Sequence, residues 1–120
     1  MGVSSMGFHV RATVLAVLCF LSAPALAQPQ GQPSEADSLY EACAGGQAYD
    51  PKTAIDACTR ALQSGLFMGE ENGELYLLRS SHFLQLGDFD AQLRDADLAQ
   101  RLLPNDPEPY FAREIGRAHV

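Results

Sequence analysis

Apolar residues recur at three- and four-residue steps from about residue 35 to the C-terminus, which is the period of an amphipathic helix. No segment alternates apolar and polar side chains with the two-residue period of a half-buried strand. Glycines and prolines divide the pattern into stretches of three to four turns. We therefore expect an all-α fold made of antiparallel helix hairpins.

Capping residues predict the limits of the first two helices. The first is expected to begin after Ser34, a favoured N-cap residue, and to end at Gly45-Gly46. The second is expected to begin at Asp50-Pro51, with a carboxylate cap and proline at the first helical position, and to end at Gly65. Its predicted buried stripe is Ala54, Ile55, Cys58, Ala61 and Leu62.

Three further helices are predicted in the second half of the chain. The glycine-containing segment 66–73 is predicted to be a connection, the third helix to run from Glu74 to Gly87, and the fourth from Asp88 to Leu102. Asp106-Pro107 indicates the start of a fifth. In the fourth helix the residues expected to face inward are Phe89, Leu93, Ala96 and Ala99, and the outward ion pairs are Asp90/Arg94 and Asp97/Arg101.

The segment 75–106 closely resembles a tetratricopeptide repeat, a helical hairpin with a period of about 34 residues. One difference is Gln92, which stands where the family usually has alanine in the middle of the second helix. The resemblance implies a solenoid of stacked helix hairpins that continues from Pro104 into a further repeat. The matching positions are Tyr76, Ser80, Phe83, Gly87, Asp88, Phe89, Ala99 and Pro104.

The hairpin before this repeat carries Cys43 and Cys58. In an oxidising compartment an even number of cysteines usually indicates a disulfide, and two buried free thiols are the alternative. The segment 55–59 is similar to the cysteine-bearing first repeat of exported bacterial members of the family. That resemblance implies that the two cysteines join the helices of the first hairpin.

Residues 1–27 have the form of a secretory signal peptide. His9 and Arg11 precede an apolar run at 12–21, which is shorter than the ~20 residues of a membrane span. The small-residue pattern at 25–27 follows, and 28–34 is expected to be a flexible linker. We therefore predict an exported protein, either periplasmic in a bacterium or secreted, with no membrane attachment after cleavage.

Charge and residue chemistry narrow the function. The net charge is −7, which disfavours nucleic acid and favours a neutral or basic partner. No metal-ligand cluster, phosphate-binding loop or nucleophile–base spacing is recognisable. We predict no enzyme, no catalytic residue, no metal and no cofactor.

The family resemblance implies a protein–protein or peptide binding scaffold, in which the first helices of successive hairpins line a concave groove. On the third helix the candidate groove residues are Tyr76, Arg79, His82 and Phe83. Two roles are open for Arg79: an ion pair with Asp95, which we favour, or contact with the carboxylate of a bound ligand. A lone histidine such as His82 is more often a packing residue than a catalytic base.

Residues 114–120 interrupt the repeat pattern and resemble the translation of a common sequencing adapter. We therefore expect the helical domain to span 35–113 and the tail to be non-native. Two alternative functions stay open. The chain is either a structural module that self-associates through its open third repeat, or the non-catalytic N-terminal part of a longer, truncated protein.

Overall fold

The computed structural model describes residues 31–45 and 50–120. The predicted signal peptide and residues 28–30 of the predicted linker lie outside the described residues. The described ranges contain helices and no strand, so the predicted all-α fold is confirmed. The helices are α1 (Glu35–Ala44), α2 (Pro51–Ser64), α3 (Glu70–Leu86), α4 (Phe89–Leu102) and α5 (Glu108–Arg117).

Each helix packs against the next one along the chain, as expected for antiparallel hairpins. α1 and α2 form one hairpin, α3 and α4 form a second, and α5 packs on α4. Contacts also join α1 to α3 and α3 to α5. The first helices of successive hairpins are therefore neighbours, which places them along one side of the molecule.

The predicted caps form. The Ser34 hydroxyl accepts from the Asp37 N–H at 3.1 Å while the Ser34 N–H donates to the Asp37 carboxylate at 3.2 Å, which completes a capping box. The side chains of Asp50 and Asp88 cap α2 and α4, since each accepts a hydrogen bond from the backbone N–H of the third residue after it. Gly87 has a φ of 75°, and this left-handed conformation lets α3 reverse into α4 through two residues.

α3 begins at Glu70, so the predicted start at Glu74 is wrong. The two glutamates of the first turn, Glu70 and Glu71, favour the positive end of the helix dipole, and the Glu71 carboxylate accepts from the Met68 N–H at 3.1 Å. Gly73, which suggested a loop, is buried within the helix. A Cβ there would lie 2.6 Å from Leu103 Cγ, so glycine permits the close approach of α3 to the end of α4.

The core is built largely from small side chains. Ala61, Ala96 and Ala99 are fully buried, as their positions on the apolar stripes predicted. Phe89 and Leu93, predicted to face inward, are only half-buried. In their place Gln92 and Asp95 are buried, at 1% and 4% exposure, so the inward face of α4 is more polar than predicted.

Cys43 and Cys58 form a disulfide that joins α1 to α2, with an S–S distance of 2.05 Å. Both residues are fully buried and belong to the apolar cluster that also contains Phe67 and Leu75. The predicted bridge is therefore confirmed, in preference to two free thiols. It fixes the first helix of the fold to the second.

α5 passes through the domain limit predicted at Arg113 and ends at Arg117. Gly116 is buried against Gln92, and the His119 ring stacks on Phe89 with 4.4 Å between centroids. The tail 114–120 therefore packs on the rest of the domain, and its non-native origin stays a prediction. None of the described helices has the length and apolarity needed to cross a membrane.

Candidate functional site

A groove of about 580 Å³ runs along the side of the molecule where α1, α3 and α5 are neighbours. α3 supplies its central wall, through residues spaced three and four apart that share one face of the helix. Tyr40 of α1, Gln92 of α4, Asp106 and four residues of α5 complete it. The α3 residues are Glu74, Leu77, Leu78, Ser80, Ser81 and Leu84, and those of α5 are Glu108, Phe111, Ala112 and Ile115.

None of the four predicted groove residues lines this groove. These four residues lie elsewhere on α3, and their predicted ligand contacts stay a prediction. Arg79 contacts Thr59 of α2 and Asp95 of α4, so its side chain extends toward the second helices of the two hairpins. Tyr76 and Phe83 lie on the same face as Arg79, with their ring centroids 5.5 and 5.9 Å from its guanidinium carbon.

Arg79 is the centre of a polar cluster that ties three helices together. Its guanidinium donates to both oxygens of Asp95, at 2.7 and 2.9 Å, and to the Thr59 hydroxyl at 3.0 Å. The hydrogen bonds to Asp95 raise the pKa of the Arg79 guanidinium above its ordinary value, although burial opposes the rise. The ion pair favoured from the sequence is confirmed.

His82 is buried, at 4% exposure, and does not face an open surface. Its Nε2 lies 2.7 Å from the carbonyl oxygen of Cys43, one of the two bridged cysteines. The imidazole thereby connects α3 to the end of α1, beside the disulfide. This position makes His82 a structural contact between the two hairpins.

The floor of the groove contains a buried glutamine at the position where the repeat family usually has alanine. Gln92 Nε2 donates to the Ala112 carbonyl at 2.6 Å, which joins α4 to α5. A Cβ on Gly116 would clash with the Gln92 Oε1, so a larger residue at position 116 would require the end of the Gln92 side chain to shift. Ser80 donates to the Gln92 carbonyl at 3.0 Å. Sequence reasoning missed this pairing because its two halves are far apart in the chain.

The rim of the groove is acidic. Glu74, Asp106 and Glu108 line it, and an adjoining cleft of about 540 Å³ shares Tyr40 and Glu74 with it. The Tyr40 hydroxyl donates to Glu74 at 3.4 Å. Partial burial raises the pKa of the Tyr40 phenol above its ordinary value, and the nearby Glu74 carboxylate adds to the rise.

Ionic contacts of α4 differ from those predicted. Asp97 pairs with Arg113 of α5 and not with Arg101 one turn along its own helix.

Within the described ranges, no group of three or more histidine, cysteine, aspartate or glutamate side chains is arranged to hold a metal ion. The features of the site are thus an apolar wall, an acidic rim and a polar floor.

Comparison of the chain with protein-family models, with curated proteins and with solved structures found no match.

Proposed function

We propose that this chain is a binding scaffold of the tetratricopeptide type, which holds a peptide or a segment of a partner protein by non-covalent recognition. The observation that carries the proposal is the groove along α1, α3 and α5. Hairpins that stack with their first helices side by side generate this kind of extended concave surface. The groove, and not the opposite face of α3 around Arg79, is the proposed contact surface.

The exposure of apolar side chains in the groove supports a binding role. Phe111 and Ile115 are 60% and 43% exposed, and Leu77, Leu78 and Leu84 are only half-buried. Contact with a partner would remove this surface from water, and each fully buried side chain of this size contributes about 1.5–3 kcal/mol. Apolar anchors in a groove with polar edges are typical of peptide-recognition sites.

The disulfide agrees with the proposed location. Bridges of this kind form and persist in oxidising compartments, so the Cys43–Cys58 pair is consistent with export to the periplasm or to the medium. We propose export on this ground together with the signal-peptide pattern of residues 1–27.

Leu84→Ser is expected to weaken peptide binding about tenfold or more, because Leu84 lines the groove and loses its apolar contact. The probes are peptides selected from a random display library on the oxidised protein, and affinity is measured by fluorescence anisotropy. Leu86→Ser is the matched control, since Leu86 lies on the same helix, is 42% exposed and does not line the groove.

Two results would contradict the proposed function. One is that both leucine variants weaken binding equally. The other is that amide resonances of the groove residues do not shift on addition of the selected peptides. Melting temperatures of both variants, measured in parallel, separate loss of binding from loss of folding.

A second candidate function is self-association through α5. The observation that favours it is the exposure of Tyr110 and Phe111, at 50% and 60%, on the helix with no further helix packed beyond it in the described residues. If α5 pairs with a second copy, the mass measured by sedimentation equilibrium should rise with protein concentration, and Phe111→Ser should abolish the rise. A constant monomer mass would remove this candidate.

A further inference from the structure

We infer that the segment held in the groove is cationic as well as apolar: a stretch of leucine- or phenylalanine-like anchors flanked by lysine or arginine. This inference rests on the proposed function and adds the chemistry of the partner. It follows from the way in which charge is divided between the two sides of the helix hairpins.

The groove and the cleft beside it are lined by carboxylates and by no lysine or arginine of the described residues. The carboxylates come from α1, from α3 and from the segment before and at the start of α5, so they follow the whole length of the surface. They are Asp37, Glu41, Glu71, Glu74, Asp106 and Glu108.

The basic residues of the described ranges lie elsewhere. Those of the second helices α2 and α4 are Lys52, Arg60, Arg94 and Arg101. On the first helices each arginine has an acidic partner outside the groove: Arg79 pairs with Asp95, Arg113 with Asp97, and Arg117 with Glu114. Among the residues that the structure describes, no lysine or arginine therefore pairs with the groove carboxylates.

Charge of one sign along a concave surface raises the local concentration of ligands of the opposite sign and repels those of the same sign. An anionic peptide, nucleic acid or an anionic lipid surface would be repelled by this rim. The ligand also needs apolar groups that contact Leu77, Leu84 and Phe111, because a purely polar cation would leave these side chains in water. Both requirements are met by a segment that carries apolar and basic residues together.

The test uses four synthetic peptides of equal length and the oxidised protein labelled with ¹⁵N. Three peptides have leucine at the same positions and lysine, glutamine or glutamate at all others, and the fourth has lysine with serine in place of leucine. We expect the lysine–leucine peptide to bind about tenfold more tightly than the glutamine–leucine peptide at low salt. This difference should shrink at high salt, because exposed charges are screened.

The matched variants are Glu74→Gln with Glu108→Gln in the groove, and Asp56→Asn with Asp90→Asn on α2 and α4. Each pair removes two exposed carboxylates, so the net charge of the two proteins is the same. The groove pair should lower the affinity for the lysine–leucine peptide several-fold, since an exposed ion pair contributes at most about a fivefold change. The control pair should leave the affinity nearly unchanged.

The outcomes separate this inference from the proposed function. If the glutamine or glutamate peptide binds the groove as tightly as the lysine peptide, the scaffold function stands and the cationic partner is wrong. Equal weakening by both variant pairs, or equal binding of the lysine–serine peptide, would also overturn the inference by showing attraction to net charge alone. If no leucine peptide shifts the groove resonances, the proposed function itself fails.

Discussion

Reduction of the Cys43–Cys58 disulfide is expected to lower the free energy of unfolding by about 3 kcal/mol, the contribution of a bridge that closes a loop of this length. In a domain of this size that loss corresponds to a fall in melting temperature of roughly 15 °C. The reason lies in α1, which has 10 residues and is too short to be stable alone. Its attachment depends on the bridge, on the His82 contact and on a small apolar cluster.

Thermal unfolding followed by circular dichroism, with and without reductant, measures this effect. The control is the double variant Cys43→Ala/Cys58→Ala, whose melting temperature should be low in both conditions. Intact mass should show a gain of two hydrogen atoms on reduction of the unsubstituted protein, one on each cysteine sulfur. A melting temperature that stays the same after that gain would contradict the prediction.

Asp95→Ala is the substitution expected to have the second largest effect, a loss of about 3 kcal/mol in the free energy of unfolding. Asp95 is 4% exposed and receives two hydrogen bonds from Arg79. Its removal leaves a largely buried guanidinium that retains the Thr59 hydroxyl but no anion. An uncompensated buried charge costs more than the pair contributes when both members are present. Urea unfolding of the oxidised protein gives the measurement.

A double-mutant cycle with Arg79→Met distinguishes this cause from simple loss of packing. The combined variant Arg79→Met/Asp95→Ala should be more stable than Asp95→Ala alone, because the unpaired charge is gone. Stabilities that add without coupling would show that the ion pair has no role beyond the volume of its side chains. Peptide binding in the groove should be retained in these variants when they are folded, since neither residue lines it.

The parts of the fold that the sequence predicted correctly depend on local interactions. The caps at Ser34 and Asp50 and the turn at Gly87 each involve residues within a few positions, and all of them form. The start of α3 was missed because a glycine such as Gly73 occurs both in loops and where two helices approach closely. Only the position of Leu103, thirty residues later in the chain, distinguishes the two.

The candidate site was harder to predict because its signal is tertiary. Tyr76, Arg79 and Phe83 suggested ligand contacts through their chemistry, but that same chemistry serves the cluster between α2, α3 and α4. Leu77 and Leu84 were not singled out in the sequence, since a leucine on a groove wall has no distinguishing pattern along the chain. Part of the charge distribution was visible in the sequence, since α1 has acidic and no basic residues whereas α2 has more basic than acidic ones.

The buried amide of Gln92 joins α4 to α5, and in the proposed solenoid it would affect how the hairpins stack. In an array of hairpins, small rotations at each interface add up to the pitch and curvature of the superhelix. An alanine contact would let neighbouring helices slide, whereas the bond from Gln92 to the Ala112 carbonyl has a direction and a fixed length. If the chain is the proposed scaffold, we expect this bond to stiffen the interface between α4 and α5 and to fix the curvature of the groove before a partner binds.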